Sequence, residues 1–186
     1  MIRAALLALV VLLAPVTAAQ EAPTPAERWQ DYRVAAFGTT TLVLIPVFAA
    51  YDHVLNEPPE WSSSVQGFGT RVLSYGGRLV IDASVVHGSA ALLGLDVRAP
   101  VLPEGTRLRR ASYAALGALT ARLPSGQRIP SVPLLLGATS GAMAQSAWEP
   151  GGLDWREVGI STTIAVGLTV AGDFVVGLLQ QPTPPR

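Results

Sequence analysis

Residues 158–179 read VGISTTIAVGLTVAGDFVVGLL, a stretch of apolar and small residues in which Asp173 carries the only charge. Its larger apolar residues alternate with smaller ones, as they do in lipid-facing β-strands: Ile164, Val166, Leu168, Val170, Phe174, Val176 and Leu178. The same stretch fits a helix, because its polar residues fall on one stripe at spacings of seven, four and seven: Thr162, Thr169, Asp173 and Gln180. Periodicity here is compatible with both, so signals elsewhere must decide between a helical protein and a small outer-membrane-type β-barrel.

Start and stop signals along the rest of the chain favour helices. Thr24-Pro25-Ala26-Glu27 is a capping box with proline at the first helical position. Clusters of proline and glycine separate the apolar stretches. We therefore predict an all-α fold with five Gly/Ala-rich helices in one bundle: A over 25–55, kinked at Pro46, B over 63–95, C over 107–123, D over 132–148 and E over 155–179.

The first 19 residues have the parts of a secretory signal peptide. Arg3 gives a short positive region, residues 4–14 form an unbroken apolar run, and small residues follow Pro15 at 16–19. That run is shorter than the roughly 20 residues that cross a bilayer. We expect an exported protein of the periplasm or a cell-envelope membrane, with a signal peptide at 1–19, a single helical domain at 20–181 and a disordered Pro-rich tail at 182–186.

Composition excludes several classes of protein. The chain has no cysteine, which excludes disulfides, thiol nucleophiles and cysteine-ligated metals. Its 13 basic residues, all arginine, balance 13 acidic residues. No strong net field therefore directs the protein to nucleic acid.

Three stretches approach the length of a membrane span. Residues 34–51 and 129–148 contain no charged residue, and residues 158–179 contain only Asp173. Glycine within a helix costs about 1 kcal/mol relative to alanine, and close helix packing offsets such a cost. We assign that packing role to Gly67, Gly69, Gly137, Gly141 and Gly167. Prolines within the stretches and the uneven charge of the loops argue against complete spanning. We therefore expect membrane association by a helical hairpin or by partial spanning. The expected partner is membrane lipid, and a homo-oligomer is a further option.

No catalytic or metal-binding motif is found, and we predict no cofactor or metal. The two histidines, His53 and His87, lack the spacings that hold zinc on a helix. If helices A and B packed side by side, a polar cluster would include Asp52, His53, Asp82 and His87, with Asp173 as a further carboxylate in an apolar helix. A helix-end polar pair and a hydrogen-bonded buried histidine are the favoured interpretation. We expect Asp82 to pair with Arg78 one turn earlier, and Asp173 with an arginine of helix B or C.

Three arginines open helix C: Arg107, Arg109 and Arg110. Positive charge at a helix N-terminus opposes the helix dipole, so we expect these side chains to turn outward. Outward arginines are candidate contacts to anionic lipid head groups.

Three segments, AYDH at 50–53, EPPEW at 57–61 and QGFGTR at 66–71, resemble an uncharacterised family of exported bacterial helical proteins. In that family a tryptophan after a Pro-containing loop precedes a G-aromatic-G-x-R helix. The resemblance spans about residues 45–179, and only its first part is specific; Leu95 to Arg98 is a loose counterpart of an acidic, aromatic-ended segment. It implies a helical envelope protein, with Trp61 anchoring the turn between helices A and B, and it implies no activity.

The sequence supports three hypotheses about function. The first is a non-enzymatic cell-envelope protein, a membrane-associated helical unit whose tryptophans lie near predicted helix ends as interfacial anchors: Trp29, Trp61, Trp148 and Trp155. The second is a periplasmic binding domain for an apolar or lipid-like ligand. The third, a His/Asp-dependent enzyme, has the least support because no motif accompanies the histidines.

Overall fold

The protein is described by a computed structural model that covers residues 21–180. The predicted signal peptide and the predicted tail lie outside these residues. The described chain contains six α-helices and two short strands: α1 (Pro25–Phe37), α2 (Thr39–Leu55), α3 (Val65–Leu92), α4 (Arg107–Ala118), β1 (Thr120–Arg122), β2 (Arg128–Pro130), α5 (Val132–Trp148) and α6 (Trp155–Leu179). The all-α prediction is confirmed, and residues 158–179 are helical. The predicted bounds of helices D and E coincide with those of α5 and α6.

Predicted helix A is two helices. The capping box is formed as expected, since the Thr24 hydroxyl accepts from the Glu27 N–H at 3.3 Å and the Glu27 carboxylate accepts from the Thr24 N–H at 2.7 Å. The helix is interrupted at Gly38, whose backbone is extended at φ −70° and ψ 165°. A side chain at Gly38 would collide with the Val34 carbonyl. The interruption therefore falls at Gly38, while Pro46, the predicted site of a kink, lies inside α2.

Helices B and C are shorter than predicted. α3 ends at Leu92 because Gly94 takes a left-handed conformation with φ 65°, and the Leu95 N–H returns to the Ala90 carbonyl at 2.8 Å. α4 ends at Ala118, and the residues expected to continue it form β1. β1 pairs antiparallel with β2, with Ala121 opposite Ile129. The pattern of residues 120–122 is compatible with a strand as well as with a helix, and these residues form a strand because they pair with β2.

The described chain divides into two compact units. The first comprises residues 21–23, 90–131 and 169–180, and the second comprises Thr24–Ser89 and Val132–Leu168. In the first unit Ala90, Leu95 and Ala121 form a buried apolar cluster. The end of α6 packs closely on α4 there, because a Cβ at Gly177 would lie 2.7 Å from the Cα of Ala111. The expectation of a single domain over 20–181 stays a prediction.

In the second unit α5 packs against α3 through two of the predicted packing glycines. A Cβ at Gly137 would lie 2.9 Å from the Asp82 carbonyl oxygen, and one at Gly141 would lie 3.2 Å from the Arg78 carbonyl oxygen. Two other predicted positions, Gly69 and Gly167, have no described atom within 4 Å of such a Cβ. Those two glycines therefore face open space in the described chain instead of a helix neighbour.

Buried and exposed positions are distributed unusually. The buried apolar residues of the described chain are nearly all alanine, with Leu95 and Val158 as the larger exceptions. The largest fully buried side chains are Arg71 and Pro133. Large apolar side chains lie instead on the outside of α2 and α6, among them Leu42, Val43, Val47, Ile160, Ile164 and Leu168.

Candidate functional site

One face of α3 carries a row of polar side chains, here called the polar stripe: Arg71, Ser74, Tyr75, Arg78 and Asp82. The intervals of three, four, seven and eleven residues from Arg71 bring them to one side of a helix with about 3.6 residues per turn. The whole stripe belongs to the second unit. Its side chains reach the loop after α2 and residues of α2, α5 and α6.

Arg71 is fully buried and organises the loop between α2 and α3. Its Nε donates to the Glu57 carbonyl at 2.7 Å, Nη1 to the Ser62 carbonyl at 2.8 Å and Nη2 to the Pro58 carbonyl at 2.9 Å. The guanidinium carbon lies 5.9 Å from the ring centroid of Trp61. One cation thus binds three carbonyls of a loop that contains little regular structure.

Gly67 explains why the loop can approach α3 so closely. A Cβ at Gly67 would collide with the Trp61 and Ser62 carbonyl oxygens. The Ser64 hydroxyl accepts from the Gly67 N–H at 3.1 Å, which caps the start of the helix. In the segment QGFGTR, therefore, the first glycine makes room for the loop and the arginine binds it.

His53 joins this loop cluster. Its Nδ1 lies 3.4 Å from Nη1 of Arg71, and its ring contacts Phe68 edge-on with centroids 5.5 Å apart. Its neighbour Asp52 points elsewhere and accepts from the Tyr75 hydroxyl at 2.6 Å. Burial and this hydrogen bond raise the pKa of Tyr75 above its ordinary value, so the phenol keeps its proton.

Arg78 connects three helices. Its Nη1 donates to Oε1 of Gln145 on α5 at 2.5 Å and to the hydroxyl of Ser161 on α6 at 2.7 Å. Gln145 in turn donates from Nε2 to Oε1 of Glu149 at 2.8 Å. These bonds set the register of α3, α5 and α6 at one level of the unit.

Glu149 closes the network with neutral partners. The Ser74 hydroxyl donates to Oε1 of Glu149 at 3.3 Å and accepts from the indole N–H of Trp148 at 2.9 Å. Burial raises the pKa of Glu149, and the hydrogen bonds from Gln145 and Ser74 offset only part of that effect.

Asp82 does not form its expected ion pair. Among residues 21–180 its carboxylate makes no hydrogen bond, because the Arg78 guanidinium is engaged by Gln145 and Ser161. Burial raises the pKa of Asp82, and the charge of Arg78 counteracts this in part. The prediction that Arg78 pairs with Asp82 is therefore wrong in geometry, although the two charges still interact.

The two remaining members of the predicted polar cluster are His87, in the second unit, and Asp173, in the first. His87 packs edge-on against Tyr32 with centroids 6.2 Å apart, and burial lowers the pKa of its imidazole. Asp173 belongs to the first unit and has no hydrogen bond or ion pair among the described residues. No three of the His, Asp and Glu side chains in the described part of the chain are placed to hold a metal ion.

Arg110 corrects two expectations about helix C. It is buried rather than turned outward, and it donates from Nη1 to the Gly105 carbonyl at 2.7 Å and from Nη2 to the Gln180 carbonyl at 3.2 Å. These carbonyls accept from its two terminal nitrogens, while Nε has no hydrogen-bond partner among residues 21–180, and Arg110 does not pair with Asp173. Arg107 and Arg109 are exposed, as predicted.

The first unit has its own charged network around Asp96. Arg98 and Arg122 bind the two carboxylate oxygens at 3.0 Å and 2.9 Å. Burial alone would raise the pKa of Asp96, but the hydrogen bonds from Arg98 and Arg122 outweigh it and lower the pKa below its ordinary value. This network joins the loop after α3 to β1, where Asp96 and Arg122 also exchange backbone hydrogen bonds at 2.8 and 2.9 Å.

Sequence reasoning singled out neither Arg71 nor Gln145 as a site residue. Arg71 had a visible signal, since it is a charge inside a Gly-rich apolar helix that follows a proline loop. Gln145 had a weaker one, as an uncharged polar residue in a helix of small side chains. Both are bound to residues far along the chain, which periodicity does not reveal.

Comparison of the chain with protein-family models, with curated proteins and with solved structures finds no match. The resemblance to a family of exported helical proteins therefore stays a prediction. The chemistry of the polar stripe is interhelical hydrogen bonding: charged and neutral donors on α3 bind acceptors on its neighbours. Such a network stabilises a particular arrangement of helices in a chain whose buried apolar residues are nearly all alanine.

Proposed function

We propose that this chain is a non-enzymatic membrane protein of the cell envelope, in which Pro25–Leu55 and Trp155–Leu179 lie in the bilayer and the polar stripe holds the second unit together. Burial, helix length and the position of the tryptophans support this function.

The observation that carries the proposal is the exposure of two apolar helical segments. Pro25–Leu55, with 31 residues, and Trp155–Leu179, with 25, are long and apolar enough to cross a membrane, yet only 11% and 6% of their apolar windows are buried within the chain. The core helix of a soluble protein would be mostly buried. At about 1.5 Å per residue, 25 residues extend roughly 37 Å, which exceeds a hydrocarbon thickness of about 30 Å.

The distribution of side chains supports the same environment. Soluble monomers rarely expose contiguous apolar surface beyond a few hundred Å². Here Val43 and Leu168 are 56% and 50% exposed, whereas Arg71 is fully buried and Gln145 is 7% exposed. A protein with polar contacts inside and large apolar side chains outside suits lipid better than water.

Tryptophans lie where a membrane interface would be. Trp155 is the first residue of α6 and is 64% exposed, and Trp29 lies in the first half of α1 and is 60% exposed. An amphipathic indole is favourable at the depth of the lipid head groups. The residues that start both apolar segments are therefore suited to that depth.

The polar stripe has a clear role in such a protein. Lipid chains are as apolar as leucine, so the hydrophobic effect does not drive helices together within a bilayer. Close packing at small residues and hydrogen bonds between helices replace it. The hydrogen bond from Arg78 to Ser161 joins α3 to α6, the helix proposed to lie in the bilayer, and Gly137 and Gly141 pack α5 against α3.

The chain offers a clean test because it has no cysteine. Leu168→Cys places one thiol near the middle of α6, and the matched control Ser125→Cys places one at an exposed position between β1 and β2. We expect a water-soluble maleimide to label Ser125→Cys in native membranes and to label Leu168→Cys only after the membranes are dissolved in a denaturing detergent. The reason is that a thiol in hydrocarbon neither ionises nor meets the reagent.

Two outcomes would contradict the proposal. One is labelling of Leu168→Cys in native membranes as fast as Ser125→Cys. The other is release of the unmodified protein from membranes by alkaline carbonate, which removes proteins held only at the surface. Release together with co-purified lipid would favour the alternative, a periplasmic domain that binds an apolar ligand.

A further inference from the structure

The first turns of α4 present two cations and an apolar side chain outward. Arg107, Leu108 and Arg109 are all exposed, and Leu108 is 63% exposed. We call these three residues the basic surface. It lies in the first unit, next to the buried Arg110.

The side chains of Arg107 and Arg109 make few contacts with the rest of the described chain. Arg107 has no hydrogen bond or ion pair from its side chain to any residue in 21–180, and the side chain of Arg109 donates only to the Glu104 carbonyl, at 3.2 Å. The first turn of α4 contains no acidic residue. Positive charges there oppose the helix dipole, so an anion bound from outside would be favourable both to the arginines and to the helix.

The basic surface also lies at the C-terminal end of an apolar helix. Arg110 binds the Gln180 carbonyl just after α6 at 3.2 Å, and Gly177 packs on the backbone of Ala111. Leu179, the last residue of α6, is 77% exposed. If α6 lies in the bilayer, the start of α4 is therefore held at the depth where its apolar end gives way to the lipid head groups.

We infer that Arg107 and Arg109 bind the phosphates of anionic phospholipids at this membrane surface, with Leu108 inserted among the first acyl carbons. The guanidinium group presents a planar fork of donors that matches phosphate oxygens. An apolar side chain between two cations suits the boundary between head groups and hydrocarbon. This inference rests on the proposed function and adds to it a lipid class and a contact surface.

The test compares lipid binding by three variants of the full chain. The purified protein in detergent is titrated with phosphatidylglycerol or phosphatidylcholine, and bound lipid is counted by native mass spectrometry. Each arginine near an anionic surface contributes roughly a fivefold gain in affinity, so Arg107→Gln with Arg109→Gln should weaken phosphatidylglycerol binding about 30-fold. Arg107→Lys with Arg109→Lys should retain most of it.

The matched control adds Ser125→Arg and Gln127→Arg to the Arg107→Gln, Arg109→Gln variant. It restores the net charge at two exposed positions between β1 and β2 and should not restore phosphatidylglycerol binding, since only charges near the lipid phosphates contribute strongly. Binding restored by the two added arginines would overturn the inference. Equal binding of phosphatidylglycerol and phosphatidylcholine by the unmodified protein would do the same. Circular dichroism checks that each variant is folded.

Two further measurements distinguish a lipid-binding surface from a site for a free anion and test membrane insertion separately. Inorganic phosphate that displaces phosphatidylglycerol at low concentration would point to a free-anion site and would overturn the inference. Flotation with phosphatidylcholine vesicles tests the proposed function on its own: all variants should float. Failure of the unmodified protein to float would refute membrane insertion, whereas flotation without lipid selectivity would refute only the basic surface.

Discussion

Replacing Arg71 with alanine should open the loop between α2 and α3. The side chain is fully buried, and its guanidinium donates to three loop carbonyls at 2.7, 2.8 and 2.9 Å. Of these three, the Pro58 carbonyl also accepts from the Trp61 N–H at 3.2 Å. Arg71→Ala therefore removes three bonds at once, leaves the Glu57 and Ser62 carbonyls without this donor, and takes away the cation beside the ring of Trp61.

The magnitude follows from the number of carbonyls left without a donor. A carbonyl without a partner and out of reach of water costs about 1–3 kcal/mol, so 2–6 kcal/mol is roughly the upper limit for two, because Glu57 and Ser62 are exposed residues. Water reaches some of this surface when the loop relaxes, so we expect the free energy of unfolding to fall by about 3 kcal/mol. Arg71→Lys keeps the charge but lacks the planar fork, and we expect a loss of about 1.5 kcal/mol.

Two assays measure this change. Thermal unfolding in detergent, followed by near-ultraviolet circular dichroism, reports the environment of Trp61. Cleavage by a glutamate-specific protease after Glu60 reports opening of the loop, because Glu60 lies in the short 3-10 helix Pro59–Trp61. When cleavage follows the open population, about 3 kcal/mol of lost stability corresponds to about a 100-fold faster cut.

The matched control is Arg33→Ala, which removes an exposed arginine whose side chain donates to Gln30. Its effect should stay below about 0.5 kcal/mol. The reasoning would be refuted if Arg71→Ala changed the unfolding temperature and the cleavage rate no more than Arg33→Ala does. It would also be refuted if Arg71→Lys were as damaging as alanine, since the retained charge would then contribute nothing.

Two other predictions concern the first unit. Asp96→Asn should lower the free energy of unfolding by about 2 kcal/mol at neutral pH, because it removes the charge bound by two arginines. The pKa of Asp96 is lowered in the folded protein, so its contribution is complete above the unfolded pKa of about 3.9 and is lost as the pH falls through the folded value. Thermal unfolding of both proteins between neutral and acidic pH should therefore converge at low pH, and a constant difference would contradict this. Gly177→Ala should destabilise the protein by about 1–3 kcal/mol because its Cβ would lie 2.7 Å from the Cα of Ala111, whereas Gly172→Ala, whose Cβ would meet open space, should stabilise it by up to about 1 kcal/mol. Equal shifts of the two unfolding temperatures would contradict the packing argument.

Much of the fold was predictable because helix ends carry local signals. The capping box at Thr24 lies within one turn of the helix it starts, and α5 and α6 have the predicted bounds. The main errors in the helix bounds concern the end of helix C and the break in helix A. The residues after Ala118 have a pattern that fits a helix, but they form β1 because they pair with β2. Helix A is interrupted at Gly38 and not at Pro46, the position that the sequence indicated.

The candidate site was less predictable. Spacing places Arg71, Arg78 and Asp82 on one face of α3, but it does not indicate which partners that face meets. Arg78 lies one turn before Asp82 and yet binds Gln145 and Ser161, 67 and 83 residues along the chain. The partners of Arg78 therefore depend on which helices pack against α3, although Asp82 is nearer in the sequence.

By itself, the sequence determined that the protein is helical, lacks thiols and has apolar helices with small residues at regular spacing. Only the tertiary structure separated Gly137, which lies against α3, from Gly167, which faces open space. The same holds for the arginines of α4, of which Arg110 is buried and Arg107 and Arg109 are exposed. The physical reason is that periodicity defines the faces of a helix, whereas burial depends on which other element covers each face. In residues 158–179 the helix was predictable from the sequence. The exposure of its apolar residues was not, because it depends on which elements pack against the helix.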